Sequence, residues 1–303
     1  MSMTSIGVPQ TATGPTDVLR VARDYLELAK PKIAVLELVT VATAFYLAGH
    51  GSPQLPMLLH ALIGTALVAT SASAFNQWLE RGSDALMPRT ADRPLPAGRL
   101  GSRDVAWFGS ITAVIGVCYL ALAVNQVTAC LGLLSWFLYV VVYTPLKRRS
   151  ATNTAVGAVA GALPVLMGWT ATGRAVDVNA ATLFMIVFLW QFPHFMAIAW
   201  LYRRDYALGG MQMLTVVDPT GQRAGRQAVL AASVLVPVTL VPVLVSFATP
   251  IYGVAALTIG IAQLVCAVQF FRKLDETSAR RLLRASLLYL PAILGLLTLV
   301  PLI

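Results

Sequence analysis

Three oxygen-bearing side chains follow one another at intervals of four residues near the end of an apolar stretch: Asn76, Glu80 and Asp84. If one helix runs to residue 84, all three project from the same face. The next fifteen residues carry three arginines and are broken by prolines, which predicts a loop. Oxygen ligands beside arginines suit a magnesium-bound phosphate, because Mg²⁺ takes one or two carboxylates plus phosphate oxygens and arginine donates paired hydrogen bonds to phosphate. The arginines of this loop are Arg89, Arg93 and Arg99.

A second group of polar residues lies at the ends of two later apolar runs. One run ends in Tyr143, Lys147 and Arg148, which could equally be the basic stop that often follows a membrane helix. The other contains the insert Trp190-Gln191-Phe192-Pro193-His194 and is followed by Asp205. His194 and Asp205 would share a face of a continuous helix, about 16 Å apart along its axis.

The elements that carry these residues are predicted to be membrane helices. The chain has 303 residues, of which 57% are hydrophobic and only 12% charged, fewer than the roughly 25% of soluble domains. Nine apolar runs have the length of a membrane span. They cover 32–49, 56–78, 104–124, 126–146, 154–172, 180–202, 227–248, 250–271 and 284–303. We therefore predict an all-α polytopic membrane protein with nine transmembrane helices.

The net charge of +9 reflects topology and not nucleic-acid binding. With nine spans and a cytoplasmic N-terminus, 21 of the 22 Lys and Arg residues lie on one side, and Arg174 lies on the other. This asymmetry is the positive-inside pattern, and it places the C-terminus outside. The N-terminus lacks the arginines of a transit peptide, which favours a plasma membrane, with membrane lipid as a partner.

One membrane domain is expected over residues 25–303, after a cytoplasmic tail over 1–24 that we expect to be disordered. Residues 17–31 nevertheless have the pattern of a short amphipathic helix at the interface. Within the domain, the polar motifs lie at the ends of the second and sixth spans. This predicts two parallel four-helix halves, about 32–150 and 151–271, and an additional helix over 284–303. We expect a solvated loop at the charged segment 272–284.

Three stretches of this sequence resemble the membrane prenyltransferases of the UbiA superfamily. The first extends from Asn76 to Arg99 and includes RTADRPLPAGR. The second is YTPLKRRSATNTAVGAVAGALPVLMGW at 143–169, and the third begins with WQFPHF and extends over 190–221. The combination of WQFPHF with RPLPAGR resembles the branch of the superfamily whose members farnesylate heme. Glu80 stands where that pattern commonly has aspartate, and Asp205 has no second aspartate three or four residues later.

The resemblance implies a UbiA-type helical bundle with its active-site loops in the cytoplasm. It implies farnesyl diphosphate as donor, heme B as acceptor and a product, heme O, for a downstream heme A synthase. By the same resemblance, magnesium and diphosphate are held by Asn76, Glu80 and Asp84, with Asp205 at a second metal. The catalytic set further includes Arg89, Arg93 and Lys147, which clamp diphosphate. Further substrate contacts are expected from Tyr143, Arg148, Trp190 and His194, the last against heme.

Three other functions fit parts of the pattern. A prenyltransferase with an aromatic quinone-type or chlorophyll-type acceptor would share the magnesium residues but would not need His194. A transporter would typically have inverted repeats and a midplane site, whereas the acids and arginines here cluster at one face. A non-enzymatic heme carrier would need His194 but neither Asp84 nor Asp205.

Overall fold

A computed structural model describes residues 15–51 and 54–299, and this part of the chain is helical without strands. Residues 1–14 of the expected disordered tail lie outside the described residues. The helices are α1 (Pro15–Leu28), α2 (Pro31–Ala48), α3 (Leu55–Asp84), α4 (Ser102–Ala123), α5 (Gln126–Phe137), α6 (Thr144–Leu146), α7 (Asn153–Thr170), α8 (Val178–Leu201), α9 (Arg203–Leu208), α10 (Leu214–Val217), α11 (Gln222–Leu244), α12 (Pro250–Lys273) and α13 (Glu276–Leu299). A π-helical segment over Leu138–Tyr143 joins α5 to α6.

Eight helices in the described part of the chain are long and apolar enough to cross a membrane. The prediction of a polytopic all-helical membrane protein is therefore confirmed. Helix α7, which would be the ninth span, is not among these eight. Its start contacts the loop after α9, and its end contacts the turn before α5, so α7 also traverses the bundle. The count of nine spans and the sides of the two termini stay predictions.

Small residues allow the helices to approach one another closely. A side chain at Gly168 of α7 would collide with the backbone of Val41 in α2, and one at Gly116 of α4 would meet Val68 of α3. Such contacts stabilise membrane bundles because lipid supplies no hydrophobic force between helices. Helix α8 is the most enclosed, with neighbours α7, α11 and α13. Helix α13 packs on α8 and α12, and the division into halves 32–150 and 151–271 stays a prediction.

Two local expectations are wrong. Residues 15–24, which we assigned to a disordered tail, belong to α1, in agreement with the amphipathic pattern that begins at residue 17. Arg99 fastens α1 to the loop after α3 through ion pairs with Asp24 at 2.8 Å and Glu27 at 3.0 Å. The charged segment 272–284 is mostly helical, because α12 continues to Lys273 and the Asp275 side chain accepts a hydrogen bond from the Ser278 amide at the start of α13.

Candidate active site

The polar stripe at the end of α3 is buried. Helix α3 continues to Asp84, which confirms the predicted helix, and Asn76, Glu80 and Asp84 are only 2%, 5% and 1% exposed. Two carboxylates in such a position need partners, because an isolated buried charge is strongly unfavourable. We call these three residues the α3 stripe.

Each member of the α3 stripe contacts a cation from a different part of the chain. Lys30, between α1 and α2, donates to Asn76 Oδ1 at 2.8 Å. Lys147 Nζ lies 2.8 Å from Glu80 Oε1, and Arg93 Nη1 lies 2.6 Å from Asp84 Oδ2. The two residues of each contact are 46, 67 and 9 positions apart in the sequence, respectively. The stripe thus brings distant parts of the chain into one polar cluster.

The π-helical segment and the turn after it position Lys147. Lys147 lies over the ring of Tyr143, with Nζ 4.5 Å from the ring centroid, as expected for side chains that share a face. The Lys147 carbonyl accepts from the Gln212 amide at 2.6 Å, and the Gln212 carbonyl accepts from Asn153 Nδ2 at 3.2 Å. The ends of α6, α7 and the loop after α9 therefore meet beside the stripe. π-Helical turns within α-helices occur frequently at functional sites.

The loop over residues 85–101 folds back on the end of α3. Thr90 Oγ1 donates to the Asp84 carbonyl at 2.9 Å, which holds the loop so that Arg93 reaches the Asp84 side chain. Arg89 lies over two tyrosine rings, with its guanidinium carbon 4.9 Å from the Tyr202 ring centroid and 5.9 Å from that of Tyr206. Arg89 thereby links the loop after α3 to the segment containing α9.

The two lysines of the cluster differ in their electrostatics. Burial, together with the positive charges of Arg93 and Lys147, lowers the pKa of Lys30 to about 7, and the Glu80 and Asp84 carboxylates offset this only in part. Burial also acts to lower the pKa of Lys147, but the adjacent Glu80 carboxylate outweighs it and holds that pKa well above its usual value. Lys147 is therefore a firmly charged ammonium, whereas the Lys30 amine has a pKa near neutrality and no carboxylate partner of its own in the described ranges.

The α3 stripe has the donor set of a magnesium site. Asp84 Oδ1 is buried and has no hydrogen-bond partner, so one lone-pair direction of this carboxylate is free for a ligand. Two carboxylates and an amide oxygen suit Mg²⁺ when phosphate oxygens complete the shell. In residues 15–51 and 54–299 no group of three or more His, Cys, Asp and Glu side chains is placed to hold a metal ion.

Comparison with known proteins identifies the family. The pattern of the UbiA prenyltransferase family matches residues 38–290. The chain belongs to the UbiA prenyltransferase family. A protein of Solibacter usitatus named protoheme IX farnesyltransferase is 42% identical over 289 residues, which cover 91% of this chain and 98% of that protein. The mitochondrial protoheme IX farnesyltransferase of Arabidopsis thaliana is 36% identical over 275 residues, 90% of this chain and 64% of that protein.

Solved structures agree with the UbiA-type fold. A digeranylgeranylglyceryl phosphate synthase superimposes with a TM-score of 0.76 at 14% identity, over 92% of this chain and 98% of that one. A UbiA homolog from Archaeoglobus fulgidus bound to GPP and Mg²⁺ has a TM-score of 0.66 at 14% identity, over 91% of this chain and 99% of that one. At these identities the likeness concerns the fold.

In this UbiA-family prenyltransferase, Trp190 and His194 face α13. Their rings stack with centroids 4.9 Å apart, and both contact Ser286. Trp190 Nε1 donates to the Ser286 carbonyl at 2.6 Å, and His194 Nδ1 lies 2.9 Å from Ser286 Oγ. This contact leaves His194 Nε2 as the nitrogen that could face a ligand.

The expected alignment of His194 with Asp205 is wrong. Helix α8 ends at Leu201, Tyr202 leaves the helical region with φ −107° and ψ 21°, and Asp205 belongs to the separate helix α9. The face that carries His194 therefore does not continue to Asp205. Asp205 is half-buried and makes no ion pair with any residue in the described ranges. Arg148 is exposed and likewise unpaired there.

Sequence reasoning missed three residues of the cluster. Lys30 contacts Asn76, Thr144 Oγ1 accepts from Asn76 Nδ2 at 3.2 Å, and Asn153 is fully buried between two loops. Lys30 precedes a proline at the start of a span, so its charge was assigned to the positive-inside pattern. The Lys30-Pro31 pair was an available signal. The residue before a proline is disfavoured in the helical region of backbone space, so a break between two helices could be expected at Lys30.

Proposed function

We propose that this prenyltransferase transfers the farnesyl group of farnesyl diphosphate to a vinyl group of heme B, with addition of water, to give heme O. The observation that carries the proposal is the buried α3 stripe with its three cations, a site for a metal-bound diphosphate. The choice of farnesyl and heme is supported by relatives named protoheme IX farnesyltransferase that are 36–42% identical over 90% or more of the chain.

Magnesium would be held by Asn76, Glu80 and Asp84, and when bound it supplies electrostatic stabilisation of the departing diphosphate. Lys147 and Arg93 lie within 2.8 Å of the two carboxylates, so both can reach a diphosphate bound at the stripe. Fixed cations aimed at the developing charge stabilise the transition state without reorganisation. Gln212 holds the backbone of Lys147 and is itself held by Asn153, and Thr90 holds the loop of Arg93, so the two cations are preorganised.

The reaction needs a good leaving group, and the farnesyl cation that forms when diphosphate departs must be protected from water. The C1–O bond of farnesyl diphosphate breaks, and the electron pair departs with diphosphate. The vinyl group then attacks C1, and water adds to the resulting heme-side cation with loss of a proton. The apolar helices beyond the stripe suit a farnesyl chain and exclude other water from the first cation. His194 Nε2 is our candidate contact for heme.

We further place the protein in the plasma membrane, with the stripe at the cytoplasmic face and a heme A synthase as the consumer of heme O. The assignment of the cytoplasmic and outer sides follows from the charge pattern. With nine spans, Arg174 is the one residue among the Lys and Arg residues that lies on the outer side. In the structure Arg174 contacts His50 and the Ala48 carbonyl at the end of α2 remote from Lys30.

The test is a product assay with purified protein in detergent, supplied with heme B, farnesyl diphosphate and magnesium. A heme species heavier by one farnesyl group plus one hydroxyl group is the expected product. Release of diphosphate only when an aromatic acid replaces heme would move the protein to a quinone-type reaction. Heme binding without any transfer would support a carrier and reject the proposal.

A further inference from the structure

The basic and acidic side chains at the α3 stripe do not match in number. The two carboxylates are paired with Lys147 and Arg93, and the third basic side chain, Lys30, contacts only the neutral amide of Asn76. The cluster therefore holds three basic side chains and two carboxylates. A partly buried ammonium with a neutral partner is costly unless an anion completes its environment. The Lys30 amine has no carboxylate partner in the described ranges, and this geometry points to an anionic ligand at Lys30 itself.

The backbone of Lys30 is held in place from both sides. On one side Gln77 of α3 donates to the Leu28 carbonyl at 3.0 Å. On the other, the Lys30 carbonyl accepts from the Ile33 and Ala34 amides at the start of α2. Between these anchors Lys30 has a left-handed backbone, with φ 47° and ψ 60°, which is uncommon for a residue other than glycine. This bend between α1 and α2 turns the side chain towards Asn76.

We propose that Lys30 is a third diphosphate-binding cation, held on Asn76 in the absence of substrate and transferred to a phosphate oxygen when the metal-bound diphosphate arrives. This inference rests on the proposed diphosphate site. Asn76 Oδ1 accepts from Lys30 in the structure, so the same oxygen becomes available to a metal when Lys30 turns to the phosphate. The exchange needs only a side-chain rotation, because the backbone on both sides stays anchored.

The experiment measures binding of inorganic pyrophosphate with magnesium to the full chain in detergent by calorimetry. The variants are Lys30→Gln, Lys30→Arg and the matched control Lys32→Gln, which removes the same charge from an exposed residue two positions away. We expect Lys30→Gln to weaken binding about ten-fold or more, the size of one lost charged hydrogen bond. Lys30→Arg keeps affinity within about three-fold of the wild type, and Lys32→Gln leaves it unchanged.

Equal affinity of the Lys30→Gln variant and the wild type would overturn the inference and leave the proposed function standing. Failure of the wild type to bind pyrophosphate with magnesium would instead overturn the proposed diphosphate site and this inference with it. A second measurement needs no variant: amine labelling of the wild type, read by mass spectrometry. Magnesium pyrophosphate should slow the labelling of Lys30 and not of Lys32, and equal labelling with and without it would contradict the proposal.

Discussion

The end of α3 and the short helix α9 both carry acids next to loops, but the surroundings of these acids differ. Asp84 is 1% exposed and ion-paired, and its neighbour Glu80 is paired as well. Asp205 is half-buried and makes no ion pair with another residue of the described ranges. The difference teaches that folding alone pairs the acids of the first motif, whereas it leaves Asp205 without an ion-pair partner in the described ranges.

The largest effect should come from the acid with a free lone pair. Asp84→Asn removes the charge that faces the metal and leaves the side-chain shape, so we expect prenyl transfer to fall at least about 100-fold. Transfer is measured with heme B and farnesyl diphosphate, and size-exclusion chromatography checks the fold. The control is Asp92→Asn, whose carboxylate is fully exposed in the same loop. If the Asp84→Asn variant were as active as the control, this result would contradict the assignment of Asp84 to the metal site.

The next effect concerns stability. Lys147→Met leaves Glu80 buried without its cation, and we expect a loss of roughly 3–5 kcal/mol in the free energy of unfolding. The double variant Glu80→Gln/Lys147→Met should lose less than the sum of the single losses, with a coupling of about 1–3 kcal/mol. Chemical denaturation in detergent measures all four proteins. Strictly additive losses would show that the pair does not act as a unit.

A smaller effect should distinguish the binding of heme from the binding of diphosphate. His194→Ala removes the imidazole whose Nδ1 contacts Ser286, and we expect heme affinity to fall about ten-fold while pyrophosphate affinity is unchanged. Heme binding is followed by optical titration. His60→Ala is the control, because His60 contacts Tyr119 in another part of the bundle. Equal losses for heme and pyrophosphate, or no loss of either, would remove His194 from the acceptor side.

The smallest effect sharpens the comparison between the two motifs. Asp205→Asn should change the free energy of unfolding by less than about 0.5 kcal/mol, since no ion pair within the described residues is broken. Transfer activity should nevertheless fall if Asp205 joins a second metal. A loss of stability comparable to that of Lys147→Met would mean that Asp205 is a structural acid like Glu80.

The parts of the site that follow from spacing along one helix could be predicted from the sequence. The interval of four residues places Asn76, Glu80 and Asp84 on one face, and α3 is long enough to include all three. The same interval places Lys147 over Tyr143. Hydropathy likewise predicted the long apolar helices, eight of which in the described ranges could cross a membrane.

The remaining features depend on contacts that spacing does not encode. The Lys30–Asn76 contact joins residues 46 positions apart and requires a left-handed bend before Pro31. The separation of His194 from Asp205 arises because α8 ends at Leu201 within a continuous apolar pattern. Neither the bend nor this helix end has a periodic signature in the sequence.

The most direct test of the α3 stripe is a calorimetric titration of the wild type and the Asp84→Asn variant with pyrophosphate, with and without magnesium. The wild type should bind pyrophosphate tightly only when magnesium is present, and Asp84→Asn should lose at least about ten-fold of that affinity. Binding by the wild type that is independent of magnesium, or equal affinities of the two proteins, would contradict a metal-bound diphosphate at the end of α3.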